Sequence, residues 1–123
     1  MKRPSHKELY KKILEARKAV ANGLINLINQ DAIVCDAIEL GYLIELDLIG
    51  VLTSLLNEIT PNNYAGKRPP EKSYERQIED LDLFAFRVES SWFNCTVYLK
   101  FTLYNNELWI VSLHRNREKR GVP

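Results

Sequence analysis

Apolar residues follow a helical period in the first half of the chain and alternate in the last third. Leu9, Ile13, Ala16 and Val20 recur three and four residues apart, which lines them up along one side of a helix. Ser5 followed by Glu8 is a capping-box pattern ahead of them, and Asn22-Gly23 is a stop signal. Together they predict a helix over residues 6–22, with Lys7, Lys11 and Lys18 striping its outer side. The run Leu24-Ile25-Asn26-Leu27-Ile28 is short and apolar, as in a brief strand. Asn29 or Asp31 caps a second helix over about 31–40, ended by Gly41. A third, over about 45–58, has the broad apolar face of Leu48, Ile49, Leu52, Leu55, Leu56 and Ile59, and Pro61 forbids its continuation. Residues 60–80 are polar and read as a long loop, which in a small domain is functional or mobile.

Beyond the loop the period becomes two. Phe84, Phe86 and Val88 alternate with Leu83, Ala85 and Arg87, and Val97, Leu99, Phe101 and Leu103 alternate with Tyr98, Lys100, Thr102 and Tyr104. Leu108 to His114 forms a last strand, with Asn105-Asn106 as its turn signal. A two-residue turn puts Tyr98 opposite Leu113 and mixes polar with apolar residues on both faces. A three-residue turn (105–107) pairs Leu99 with Leu113, Phe101 with Val111 and Leu103 with Trp109, giving one apolar face. The second register is expected. It assigns Trp109 to the core and sets Tyr98, Lys100 and Thr102 beside His114, Ser112 and Ile110 on the other face, with Tyr98 and His114 as neighbours.

These elements define an α+β fold, with N-terminal helices packed on one face of a small, mainly antiparallel, twisted sheet. The length, 123 residues, suits a single domain, 1–123, ending in a basic tail, 115–123. Glu45, Asp47 and Asn57 interrupt the longest apolar stretches, so no segment approaches the roughly 20 apolar residues of a membrane span. No apolar stretch follows the initial Met1-Lys2-Arg3-Pro4, so a cytoplasmic address is expected. Cys35 and Cys95 are then buried, reduced thiols, and two cysteines with two histidines are too few for a structural zinc site.

The net charge of +1 conceals a segregation. Residues 1–20 carry seven Lys/Arg, residues 21–66 carry none and six acids, and the end of the chain is basic again. If the fold joins the two basic ends they form one positive face that attracts a polyanion. Otherwise they are solvated surfaces.

Tyr98, Lys100 and His114 together suit phosphodiester chemistry. Cleaving RNA needs a base for the 2′-hydroxyl, a cation for the phosphate and an acid for the departing oxygen. Histidine serves as either acid or base. Lys100, Arg115, Arg117 and Arg68 supply phosphate-binding charge, Tyr98 stacks on a base or gives a proton, and no metal is required. Trp92, in the turn before the hairpin, either stacks on a base or packs against the first helix. A sheet surface rich in Tyr, Lys and Thr also arises from strand propensity alone.

The segment Val97-Tyr98-Leu99-Lys100-Phe101-Thr102-Leu103, a short turn, then Leu108-Trp109-Ile110-Val111-Ser112-Leu113-His114 resembles the C-terminal hairpin of MqsR-type toxins, within the RelE-like mRNA interferases. Ala37-Ile38-Glu39-Leu40-Gly41 resembles a helix end of that family, and Ile59 to Lys67 resembles its Pro, Tyr/Phe and Lys segment. The resemblance spans roughly residues 20–116. It implies a RelE-like fold and a metal-independent, cofactor-free endoribonuclease that cleaves mRNA by 2′-hydroxyl attack, inhibiting translation and growth. It also implies a cognate antitoxin, a place of action in the cytoplasm and the ribosome as a candidate partner. By position, Tyr98 corresponds to the family's catalytic tyrosine and His114 to its Lys or His at the last strand's end. Lys67 is the nearest counterpart of its loop lysine, with Gly66 at the strict position. The family's glutamine falls near Phe84-Ala85, which has no amide. Two other readings stand beside this one: a catalytically silent relative that binds RNA or ribosomes, and a protein–protein module using the acidic, leucine-rich middle.

Overall fold

The structure, a computed structural model, describes residues 4–67 and 69–117. Three helices cover one face of a four-stranded sheet, an α+β arrangement. Helix α1 (His6–Ala21) begins with a complete capping box: Ser5 Oγ accepts from the Glu8 amide at 3.1 Å and Glu8 Oε1 accepts from the Ser5 amide at 2.9 Å. Its apolar stripe, Leu9, Ile13, Ala16 and Val20, is buried. Strand β1 (Ile25–Leu27) follows, then α2 (Gln30–Leu40), which stops where Gly41 takes φ +90°, and α3 (Ile44–Glu58). Arg17 of α1 donates from Nε to the Leu56 carbonyl at 2.8 Å, satisfying one of the acceptors that α3 leaves open at its C-terminus. Among the described residues no helix is long and apolar enough to cross a membrane.

The sheet order is β1-β4-β3-β2, with β2 (Phe84–Ser90), β3 (Cys95–Tyr104) and β4 (Glu107–Arg115) antiparallel and β1 parallel to β4. Phe84, Phe86, Val88, Val97, Leu99, Phe101, Leu108, Ile110 and Leu113 point to the helices and share their core. The rings of Phe86 and Phe101 stack there at 5.8 Å.

The β3–β4 hairpin combines the two registers that its sequence permits. Asn105 and Asn106 both have positive φ (56° and 63°) and make a two-residue turn, so Tyr104 faces Glu107 and Phe101 faces Ile110. That backbone suits the twist of paired strands, and asparagine tolerates it. A bulge between Lys100 and Phe101 then leaves Val111 unpaired, and beyond it Leu99 faces Leu113 and Tyr98 faces His114. The expected three-residue turn is therefore corrected, and the pairings near it with it. Ile110 joins the core, while Trp109 turns to the outer face, opposite Thr102 and next to Asn26.

The polar segment expected as a loop over 60–80 is, on both sides of residue 68, more ordered than that. Thr60 caps a 3₁₀ turn, Pro61–Asn63, after which Tyr64 bridges to Phe86 beside β2. The chain then doubles back: Lys72 bridges to Asp82, the Leu83 amide donates to Glu71 O and the Ser73 amide to Leu81 O. Thr102 Oγ1 donates to Asp82 O at 2.7 Å, and Ile78, Leu83 and Ala85 are buried outside the main core. Residues 71–83 thus form a strap over the turn-proximal half of the outer sheet face.

Candidate RNA-cleavage site on the outer sheet face

The strap leaves the other half of the outer face open, and a row of three residues crosses it. Arg87 on β2, Tyr98 on β3 and His114 on β4 occupy matching register positions. Each stands one position from an inward Phe86, Leu99 or Leu113, so burying those three apolar residues turns the polar row outward. The Tyr98 and His114 rings stack at 5.1 Å with 21° between planes, and the Arg87 guanidinium lies 5.6 Å from the Tyr98 ring centre. Asn116 Oδ1 accepts from Arg87 Nε at 2.8 Å and steadies it.

The His114 Nδ1 lies 2.8 Å from the Arg115 carbonyl. A carbonyl only accepts, so Nδ1 carries the proton and Nε2 is the nitrogen left to exchange one. Burial pushes the Tyr98 phenol above its ordinary pKa; the Arg87 charge pulls it back in part, and the Glu71 carboxylate adds to the rise. Tyr98 therefore keeps its proton at neutral pH and acts as a donor.

Other expected site residues are distributed differently. Lys100 follows Tyr98 on the same face, where its Nζ stands 3.7 Å from Glu71 Oε1 of the strap. Lys67 is exposed in the connection beyond the β2 edge, its carbonyl accepting from the Tyr64 hydroxyl at 2.6 Å, and none of these interactions joins it to Tyr98 or His114. Gly66 allows this fold-back: a Cβ there would stand 2.6 Å from the Tyr64 hydroxyl. Arg115 is exposed and pairs with inward-facing Val97, so alternation directs it away from His114. Arg117 pairs with Asp36 of α2 at 2.9 Å, on the helical layer. Trp92 lies against Gly50 of α3, where a Cβ would stand 3.0 Å from the indole, so it packs on the third helix and not the first. Arg68 and residues 118–123 of the tail lie outside the described residues.

Lys100 does not join the cations of α1, because the buried stripe of α1 fixes it to the helical side of the sheet while Lys100 faces the other way; Arg115 and Arg117 turn to the helical side as well. Cys35 is exposed and Cys95 is half-buried; both are free thiols. Among the described residues no three His, Cys, Asp or Glu side chains cluster as metal ligands. The sequence reading overlooked Arg87, whose signal was its place among the outward residues of a strand paired with that of Tyr98. No protein-family model matches the chain, and no curated protein is significantly similar to it in sequence.

Proposed function

We propose that the protein is a metal-independent endoribonuclease toxin that cleaves mRNA in the cytoplasm, the activity implied by its resemblance to MqsR-type toxins. The observation that carries this reading is the Arg87–Tyr98–His114 row on an open sheet face. His114 Nε2 accepts the 2′-hydroxyl proton. The 2′-oxygen bonds to the adjacent phosphorus, the bond from phosphorus to the 5′-oxygen breaks, and the Tyr98 phenol protonates that oxygen. Arg87 and Lys100 balance the charge that builds on the phosphoryl oxygens. Arg87 contributes, beside Tyr98, a polar group on the strand where the family has its glutamine. The products are a 2′,3′-cyclic phosphate and a 5′-hydroxyl. A cognate antitoxin restrains the activity, and the ribosome is a candidate platform for it.

Incubation with a defined RNA in EDTA, followed by end-group analysis, tests the reading. Cyclic phosphate ends, lost when the cleaved nucleotide is 2′-deoxy, support it. So does growth arrest on expression, relieved by a neighbouring open reading frame. No cleavage and no arrest overturn it. The separation of Lys67 from the ring pair favours a second reading, a silent relative that holds RNA without cutting it; binding with no new ends selects that one.

A further inference from the structure

We propose that the corner between α2 and α3 is a docking site for a basic amphipathic helix of another polypeptide. It lies on the helical layer, away from the outer sheet face, and is independent of the RNA reading. Ile38 is 73% exposed, Leu43 62% and Leu46 78%, with Val34 and Ile49 exposed beside them. Side chains of this kind gathered at one corner form the contiguous apolar surface that marks an interaction site.

The surface is concave. A cavity of about 450 Å³ is lined by Val34, Ile38, Tyr42, Leu43 and Leu46. A second, of about 500 Å³, shares Ile44, Glu45 and Leu46 with it and continues past Ile49 toward Asn26 and Gln30. The first, lined mainly by apolar side chains, is the groove that takes the apolar stripe of a helix, and the second meets it at residues 44–46.

Charge selects the occupant. Residues 21–66 contain no lysine or arginine. Asp36 is paired with Arg117 and Asp47 accepts from the Leu43 amide. Asp31, Glu39 and Glu45 are exposed, and among the described residues no cation pairs with them. A second copy meeting this corner with the same corner would bring acid against acid, and an acidic helix would do the same. A helix with apolar residues at i, i+3 or i+4, and i+7, flanked by Lys or Arg, satisfies both the groove and its rim.

The test uses the full chain and two labelled synthetic peptides with one leucine pattern, one carrying lysine and the other glutamate at the polar positions. Fluorescence anisotropy should show the Leu/Lys peptide binding at least about tenfold more tightly than the Leu/Glu peptide. Ile38→Ser with Leu46→Ser, at exposed positions that leave the fold intact, should weaken binding about tenfold or more. Glu39→Gln with Glu45→Gln should weaken it and flatten its salt dependence. Equal binding of both peptides, no binding, or binding unchanged in the double serine variant overturns the proposal. Sedimentation showing a dimer that Leu46→Ser dissociates also overturns it, by giving the corner to a second copy.

Discussion

Glu71 Oε1 stands 3.7 Å from Lys100 Nζ, where the strap meets the open half of the outer sheet face. Its carboxylate competes for this lysine with a phosphate bound at the row. Glu71→Gln removes this internal competitor. Because the pair is partly exposed, the gain in RNA affinity should be only about two- to fivefold. It should come with a steeper salt dependence, since one more cation is available to phosphate. Filter binding across a salt series measures both.

Tyr98 and His114 divide one proton-transfer cycle in the proposed reaction. Tyr98→Phe and His114→Ala should each lower cleavage by about 10²- to 10⁴-fold. Their double variant should be little worse than the poorer single, because the residues act as a unit. Arg87→Ala should also slow cleavage while leaving the fold intact, since Arg87 is exposed. Circular dichroism confirms folding in each case, and cyclic phosphate formation reads the rate.

The raised Tyr98 phenol fixes the sign of a pH effect. The folded protein holds that proton to higher pH than the unfolded chain. The associated stability is therefore whole below about pH 10 and lost as pH climbs through the folded-state value. Tyrosinate absorbance of the unmodified protein minus that of Tyr98→Phe should show a midpoint above the ordinary tyrosine range.

Tyr42 behaves the same way for a structural reason. Burial, helped by the Asp36 charge, pushes its phenol up to about 12, and its hydroxyl is buried without a hydrogen-bond partner among the described residues. Tyr42→Phe should hold or raise stability at neutral pH, by up to about 1 kcal/mol. Between pH 10 and 12 it should spare the protein about 2–3 kcal/mol of alkaline destabilisation. Denaturant midpoints across that range decide the matter.

Gly66→Ala forces a Cβ to within 2.6 Å of the Tyr64 hydroxyl. Tyr64 is buried edge-on against Phe86, so its ring cannot withdraw cheaply, and the hydrogen bond to Lys67 O breaks. A loss of about 1–3 kcal/mol is expected in chemical unfolding.

Local signals revealed most of the elements because the structure uses them locally. The Ser5–Glu8 box starts α1, Gly41 ends α2, and the alternating residues of β3 bury the expected side. The hairpin was harder. Asn105-Asn106 demanded a tight turn and the apolar pattern demanded the longer register, and nothing in the residues alone announces the bulge that reconciles them. The strap was missed because its buried apolar residues, Ile78 and Leu83, are too few and too far apart to make a period. Arg117 was expected to bind phosphate and Trp92 to stack on a base or pack on the first helix, since their actual partners, Asp36 and Gly50, are distant in sequence. The Tyr98–His114 pair was expected from a three-residue turn, and the structure reaches the same pairing by another route, because the extra residue sits in the bulge at Val111 and not in the turn.

Val111 gives the hairpin one surplus position. Removing it would leave Ile110 inward, Ser112 outward and Tyr98 still across from His114. The same deletion elsewhere in β4 would turn part of the strand over. The separation between the tip and the ring pair can therefore change by one residue at this point alone without exchanging what meets oil for what meets water.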